Sequence, residues 1–158
     1  MKSVNMIGMT LGVSLAAALG NTPTAYAAVI NHPGSICQPD IPSEAINTNY
    51  NNDGVTNNGS SSLRLICPIV RTSTTNTGAT VYVDVNHAVN AVTSCSVLSH
   101  NYNGDFLGSA AGTFNGSGFK EITMTIGTGK SSQWSRYTVQ CEIPGNKIAT
   151  IRGIILSE

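Results

Sequence analysis

Charge is scarce in this chain of 158 residues: Lys and Arg total 8, Asp and Glu total 8, and charged residues make up 10%. Without a basic excess it lacks the electrostatic footprint of a nucleic-acid binder, and its few cations would hardly hold an anionic membrane. Aromatics are scarce too, at 6% with a single Trp, so the interfacial girdles of an outer-membrane barrel are missing. No run of 18 apolar residues follows residue 27, which leaves no span after that point. Also absent are the G-x-S-x-G elbow, the H-E-x-x-H helix, the Walker loop and a G-x-G-x-x-G turn after a strand. Beyond residue 27 there is no sustained 3.6-residue apolar stripe, and hence no amphipathic helix.

What is present begins with an address. Lys2 precedes an apolar stretch from Met6 to Leu19, and Ala25-Tyr26-Ala27 places small residues at alternate positions. The stretch is about 14 residues long, against roughly 20 for a bilayer crossing, so residues 1–27 read as a signal peptide cleaved after Ala27. Residues 28–158 then form one secreted or periplasmic domain.

All four cysteines, Cys37, Cys67, Cys95 and Cys141, lie in that domain. An even number in a small exported domain predicts two disulfides. Zinc cages draw ligands in close pairs, whereas these are separated by 30, 28 and 46 positions. Of the three possible pairings, Cys37–Cys67 and Cys95–Cys141 are favoured, because Cys95 and Cys141 point inward from mid-strand while Cys37 and Cys67 flank proline-containing ends. These bridges are expected to tie two layers together.

The dominant period is two. Leu63, Leu65 and Cys67 alternate with polar or exposed positions, as do Val81, Val83 and Val85; Thr93, Cys95 and Val97; Ile122, Met124 and Ile126; and Tyr137, Val139, Cys141 and Ile143. Such runs predict half-buried antiparallel strands. Residues 147–157 are isoleucine-rich with weaker alternation, which reads as a strand buried on both sides. Asn and Gly clusters at 51–54, 57–59, 76–78, 103–105, 115–116, 127–129 and 144–146 supply turns. The fold class expected is all-β: an antiparallel, jelly-roll-like β-sandwich stabilised by two disulfides.

Candidate chemistry is thin. His32, His87 and His100 could serve a hydrolase only beside a carboxylate and a hydroxyl, and no local motif supplies them. His32 lies in an extended segment, His87 and His100 at strand ends, all structural or solvated positions. Asn49, Asn51 and Asp53 open like a calcium loop before Gly54, but Ser60 occupies the place of its closing Glu. Weak calcium binding there is a minor reading; no cofactor is expected. Trp134 falls in phase with Arg136, Thr138 and Gln140, and Tyr82 with Asp84 and Asn86, so both are expected on polar strand faces. With Tyr137 they could build an aromatic platform for sugar rings.

The segments Val29-Ile30-Asn31-His32-Pro33-Gly34-Ser35-Ile36-Cys37, Cys67-Pro68-Ile69-Val70-Arg71, Ser94-Cys95-Ser96 and Tyr137-Thr138-Val139-Gln140-Cys141-Glu142-Ile143-Pro144, with the closing Glu158, span most of residues 28–158. In these the chain resembles a group of small exported bacterial proteins of uncharacterised function. The resemblance implies a secreted, four-cysteine, β-rich domain and carries over no catalytic residue. The functional expectation is a non-enzymatic cell-surface or periplasmic binding module, with carbohydrate the preferred partner. The alternatives are a structural subunit of the envelope or of an extracellular filament, partnered by another envelope protein, and, third, a hydrolase.

Overall fold

A computed structural model describes residues 28–72 and 77–158; the expected leader, and Asn76 of one expected turn, lie outside the described residues. The described chain forms strands β1 (Val29–Pro33), β2 (Gln38–Pro39), β3 (Thr48–Asn51), β4 (Gly54–Asn57), β5 (Leu63–Ile69), β6 (Ala79–His100), β7 (Phe106–Ile126), β8 (Arg136–Ile143) and β9 (Ala149–Ser157). Every pairing is antiparallel.

The long hairpin β6–β7 organises the fold. The first half of β6 pairs β9, its second half pairs β8, and β7 runs along the whole of its other edge. One layer is therefore β7–β6–β9, with β1 and the β4–β3 hairpin beyond; the other is β7–β6–β8–β5–β2. The two halves of the hairpin face each other, since a Cβ added to Gly112 would stand 2.6 Å from Cγ2 of Ile122. Glycine at this position lets the layers approach.

The sequence reads 81–85 and 93–97 as separate strands, but they are one. No glycine or proline interrupts β6, and its odd positions from Val81 through Ser99 stay in one inward phase, apart from Val89 and Ala91 at the bend. Conversely, Asn115-Gly116 is a bend within β7 and not a turn. Gly118, at φ 85°, pairs with His87, and Gly116 with Ala91, so β6 carries three residues where β7 carries one. That bulge folds the ribbon over. His87, expected at a strand end, is 2% exposed at this corner. Its Nδ1 donates to the Gly116 carbonyl at 2.8 Å, which leaves Nε2 to accept from the Thr93 hydroxyl at 2.8 Å, and its ring stacks on Phe114.

β9 also departs from expectation. It is not buried on both sides: Arg152 is exposed and Ile155 half-buried. A bulge opposite Asp84 and Val85 shifts its register, so Ile151 and Ile154 both face the core although three apart. This shift produces the weak alternation. β5 continues through Pro68 to Ile69; β2 covers only Leu65 and Ile66, so the proline stands where β5 is itself an edge.

The disulfides join Cys37 to Cys67 and Cys95 to Cys141, the favoured pairing. They do not tie the two layers together. Cys95 and Cys141 are opposite each other on β6 and β8, and Cys37 leads into β2 beside β5. Both bridges therefore staple neighbouring strands on the inner face of one layer, because the register already brings these cysteines side by side.

Candidate functional site

Trp134 is not on a strand face. It occupies the turn 132–135, closed by Ser135 N–H donating to the Ser132 carbonyl at 3.1 Å, with β8 beginning only at Arg136. Its φ is 65° and it is 58% exposed. A positive φ at the third position of a four-residue turn is the type II geometry that ordinarily calls for glycine. A bulky residue there costs roughly 1–2 kcal/mol.

The conformation is held from beneath. The Arg71 Nε–H pairs with the Glu158 carboxylate, and the side chains are 6% and 0% exposed. Arg71 also donates to the Ser135 hydroxyl and, at 3.3 Å, to the Ser135 carbonyl, while its guanidinium lies 4.6 Å over the Tyr137 ring. Ser131 Oγ bonds both Ser135 Oγ and the Tyr137 hydroxyl. Because Glu158 follows directly on β9 and Ser135 directly precedes β8, this network closes one end of the sandwich across its two layers.

The expected platform of Trp134, Tyr82 and Tyr137 is not assembled. Tyr137 is 1% exposed and faces the core, as its phase with Val139 and Cys141 requires; it supports the turn and offers no surface. Tyr82 lies half-buried on the outer face of the first layer, between Thr123 and Ile155, whereas β8 belongs to the other layer. Other exposed aromatics lie at this end of the sandwich. Tyr102 lies in the β6–β7 connection, and Phe106 starts β7 with its ring 5.7 Å edge-on to His100. His100 in turn stands opposite Arg136 on β8. Their sequence signal is the even phase shared by His100 and Arg136, visible only once the register is known. The Arg71–Glu158 pair spans 87 positions and has no local signature.

Asn51 Oδ1 accepts from Asp53 N–H at 2.9 Å, and the Asp53 carboxylate lies 3.5 Å from Arg152, so this tip closes a hairpin, with Asn49 upstream on β3. His32 faces inward on β1 opposite Ile154. An open groove of about 500 Å³ runs between Ser35, Gln38, Pro39, Pro42, Ala45 and Tyr50. It contains neither histidine nor carboxylate; burial pushes the Tyr50 hydroxyl above its ordinary pKa.

On the first layer's outer face, burial raises the Asp84 pKa and nearby Arg152 partly offsets this. The folded chain therefore holds the Asp84 proton to higher pH than the unfolded chain does. This contribution to stability is present at low pH and lost as pH rises through the folded pKa. Carboxyl NMR should show a midpoint above the ordinary 3.8, and Asp84→Asn should flatten the pH dependence of stability in that window.

No family matches the chain, and no curated protein does. Among solved structures it is similar to a xylan-binding module, CBM15, at a TM-score of 0.53 and 15% identity, over 83% of this chain and 96% of that one. It also matches the C-terminal CBM6 of a marine laminarinase from Zobellia galactanivorans at 0.49 and 12%, over 83% of this chain and all of that one. At 15% identity the first likeness concerns architecture, and it agrees with the β-sandwich described above. Among the described residues no helix is long and apolar enough to cross a membrane.

Proposed function

We propose that this chain is an exported, non-catalytic carbohydrate-binding domain whose contact surface is the sandwich end carrying Trp134. One observation carries the reading: an indole stands exposed in a left-handed turn conformation that glycine would adopt freely. Burying the ring would recover apolar surface energy and replacing it with glycine would relieve the backbone, so folding alone gives no reason for it. Sugar rings stack their C–H faces on such a ring, and Tyr102 and Phe106 add apolar area at the same end. The fold likeness to a xylan-binding module supports the class of ligand. Two buried bridges support an oxidising destination, and the leader-like residues 1–27 support export; an exported polypeptide beginning at Ala28 is the check.

Affinity electrophoresis in gels containing xylan, laminarin or polygalacturonate tests the binding. At least one polymer should retard the protein, and Trp134→Ala should weaken that retardation by about tenfold or more. Retardation unchanged by the substitution would move the site elsewhere.

A second reading, the structural subunit, draws on β7, whose outer edge has no strand partner among the described residues. That edge is partly blocked. The Lys130 stem lies over Gly108 and its Nζ donates to the Ser109 carbonyl at 3.0 Å, which favours the binding-domain reading.

A further inference from the structure

Resting on the carbohydrate-binding reading, we infer that the sugar recognised at the Trp134 end is anionic, a glycan bearing carboxylate or sulfate groups, with Arg136 as the residue that selects it. The antiparallel register sets Arg136, His100 and Phe106 side by side on the outer face of the second layer, and Trp134 precedes Arg136 by two residues. A guanidinium and a stacking ring thus occur at one end of one sheet.

Charge pairing singles out the arginine. The chain has four arginines; Arg64 faces Asp40 at 3.6 Å, Arg71 pairs with Glu158, and Arg152 faces Asp53 at 3.5 Å. Of the four arginines, Arg136 alone has no carboxylate partner among the described residues, and it is exposed. The nearby acid, Asp105, accepts from the Asn101 amide at 2.9 Å, within the β6–β7 connection. Lys130 adds a second cation along β7, while Glu158 is matched by Arg71. On a chain with no net charge, this end carries, outside the Arg71–Glu158 pair, two cations, Arg136 and Lys130, against one acid, Asp105.

The chemistry fits an acidic sugar. A uronic acid carries its carboxylate one bond outside the pyranose ring, so a ring stacked on an indole holds the anion at its rim. There a planar guanidinium can take both oxygens in two parallel hydrogen bonds. A sulfate ester offers the same pair of oxygens. A neutral hexose offers only hydroxyls, which present no opposing charge to the guanidinium.

The experiment uses residues 28–158 with both disulfides intact and compares polygalacturonate, the same polymer fully methyl-esterified, and carrageenan. Polygalacturonate should bind about tenfold tighter than its ester, and added salt should erase the difference. Arg136→Gln should lower its affinity to that of the ester, and Trp134→Ala should weaken both. Preference for carrageenan with the same Arg136 dependence would support the inference with sulfate as the source. Equal, Trp134-dependent binding of acid and ester would overturn the inference and leave the carbohydrate reading standing. Polyanion binding insensitive to both substitutions would also overturn it, as non-specific charge attraction. Failure to bind these polymers and the neutral ones alike would remove both readings.

Discussion

Reduction of both disulfides lowers the melting temperature by more than about 10 °C. Each bridge closes a long loop, of 30 and 46 positions, and constraining the unfolded chain to that extent is worth roughly 4 kcal/mol per bridge as an upper figure. This compares with a total of about 5–15 kcal/mol for an ordinary domain. The core has few aromatics to compensate, and the Asn and Gly loops are entropically expensive to order. All four cysteines are 3% exposed or less, so reductant must act on the unfolded chain before refolding. Alkylation mapped by mass spectrometry verifies that the sulfurs are free. A reduced and alkylated protein that melts where the oxidised one does would remove the stabilising role.

The second large effect concerns Glu158. Glu158→Gln should cost about 3–5 kcal/mol, because it leaves the Arg71 guanidinium charged and buried without its carboxylate. The cost reaches further than one contact, since Arg71 also holds Ser135 and lies over Tyr137. Replacing both charges by apolar groups of similar volume, Arg71→Met with Glu158→Leu, should recover most of the loss, as buried ion pairs offset their own desolvation only narrowly. Chemical denaturation of the wild type, the single variant and the double variant measures this. Equal destabilisation in the single and double variants would assign the effect to packing and not to charge.

The sheet layers were legible in the sequence because burial on one face imposes period two, and residues such as Val81, Leu65 and Val139 keep it without exception. Cys95 and Cys141 were pairable for the same reason: each sits in phase with an inward valine two residues away. Long-range geometry was not legible. Nothing local distinguishes a bend at Gly116 and Gly118 from a turn, since the same glycines serve both, and only the partner strand's unbroken phase decides. The bulge in β9 disguised a one-sided strand as a two-sided one. At the candidate site, the phase Tyr137 shares with Val139 places it inside, which takes it out of any surface platform. Trp134 escapes the phase of β8 because the strand starts two residues later, and a turn held by Arg71 sets its conformation instead.

On the proposed reading, Trp134 is retained for contact and not for folding. Trp134→Gly tests it most directly, with thermal melting and polysaccharide binding measured on the same sample. Opposite signs are expected: a stabilisation of about 1 kcal/mol, since glycine adopts φ near 65° without penalty, together with loss of glycan binding. A variant that melts lower and still binds would contradict it, and the indole would then be a structural residue.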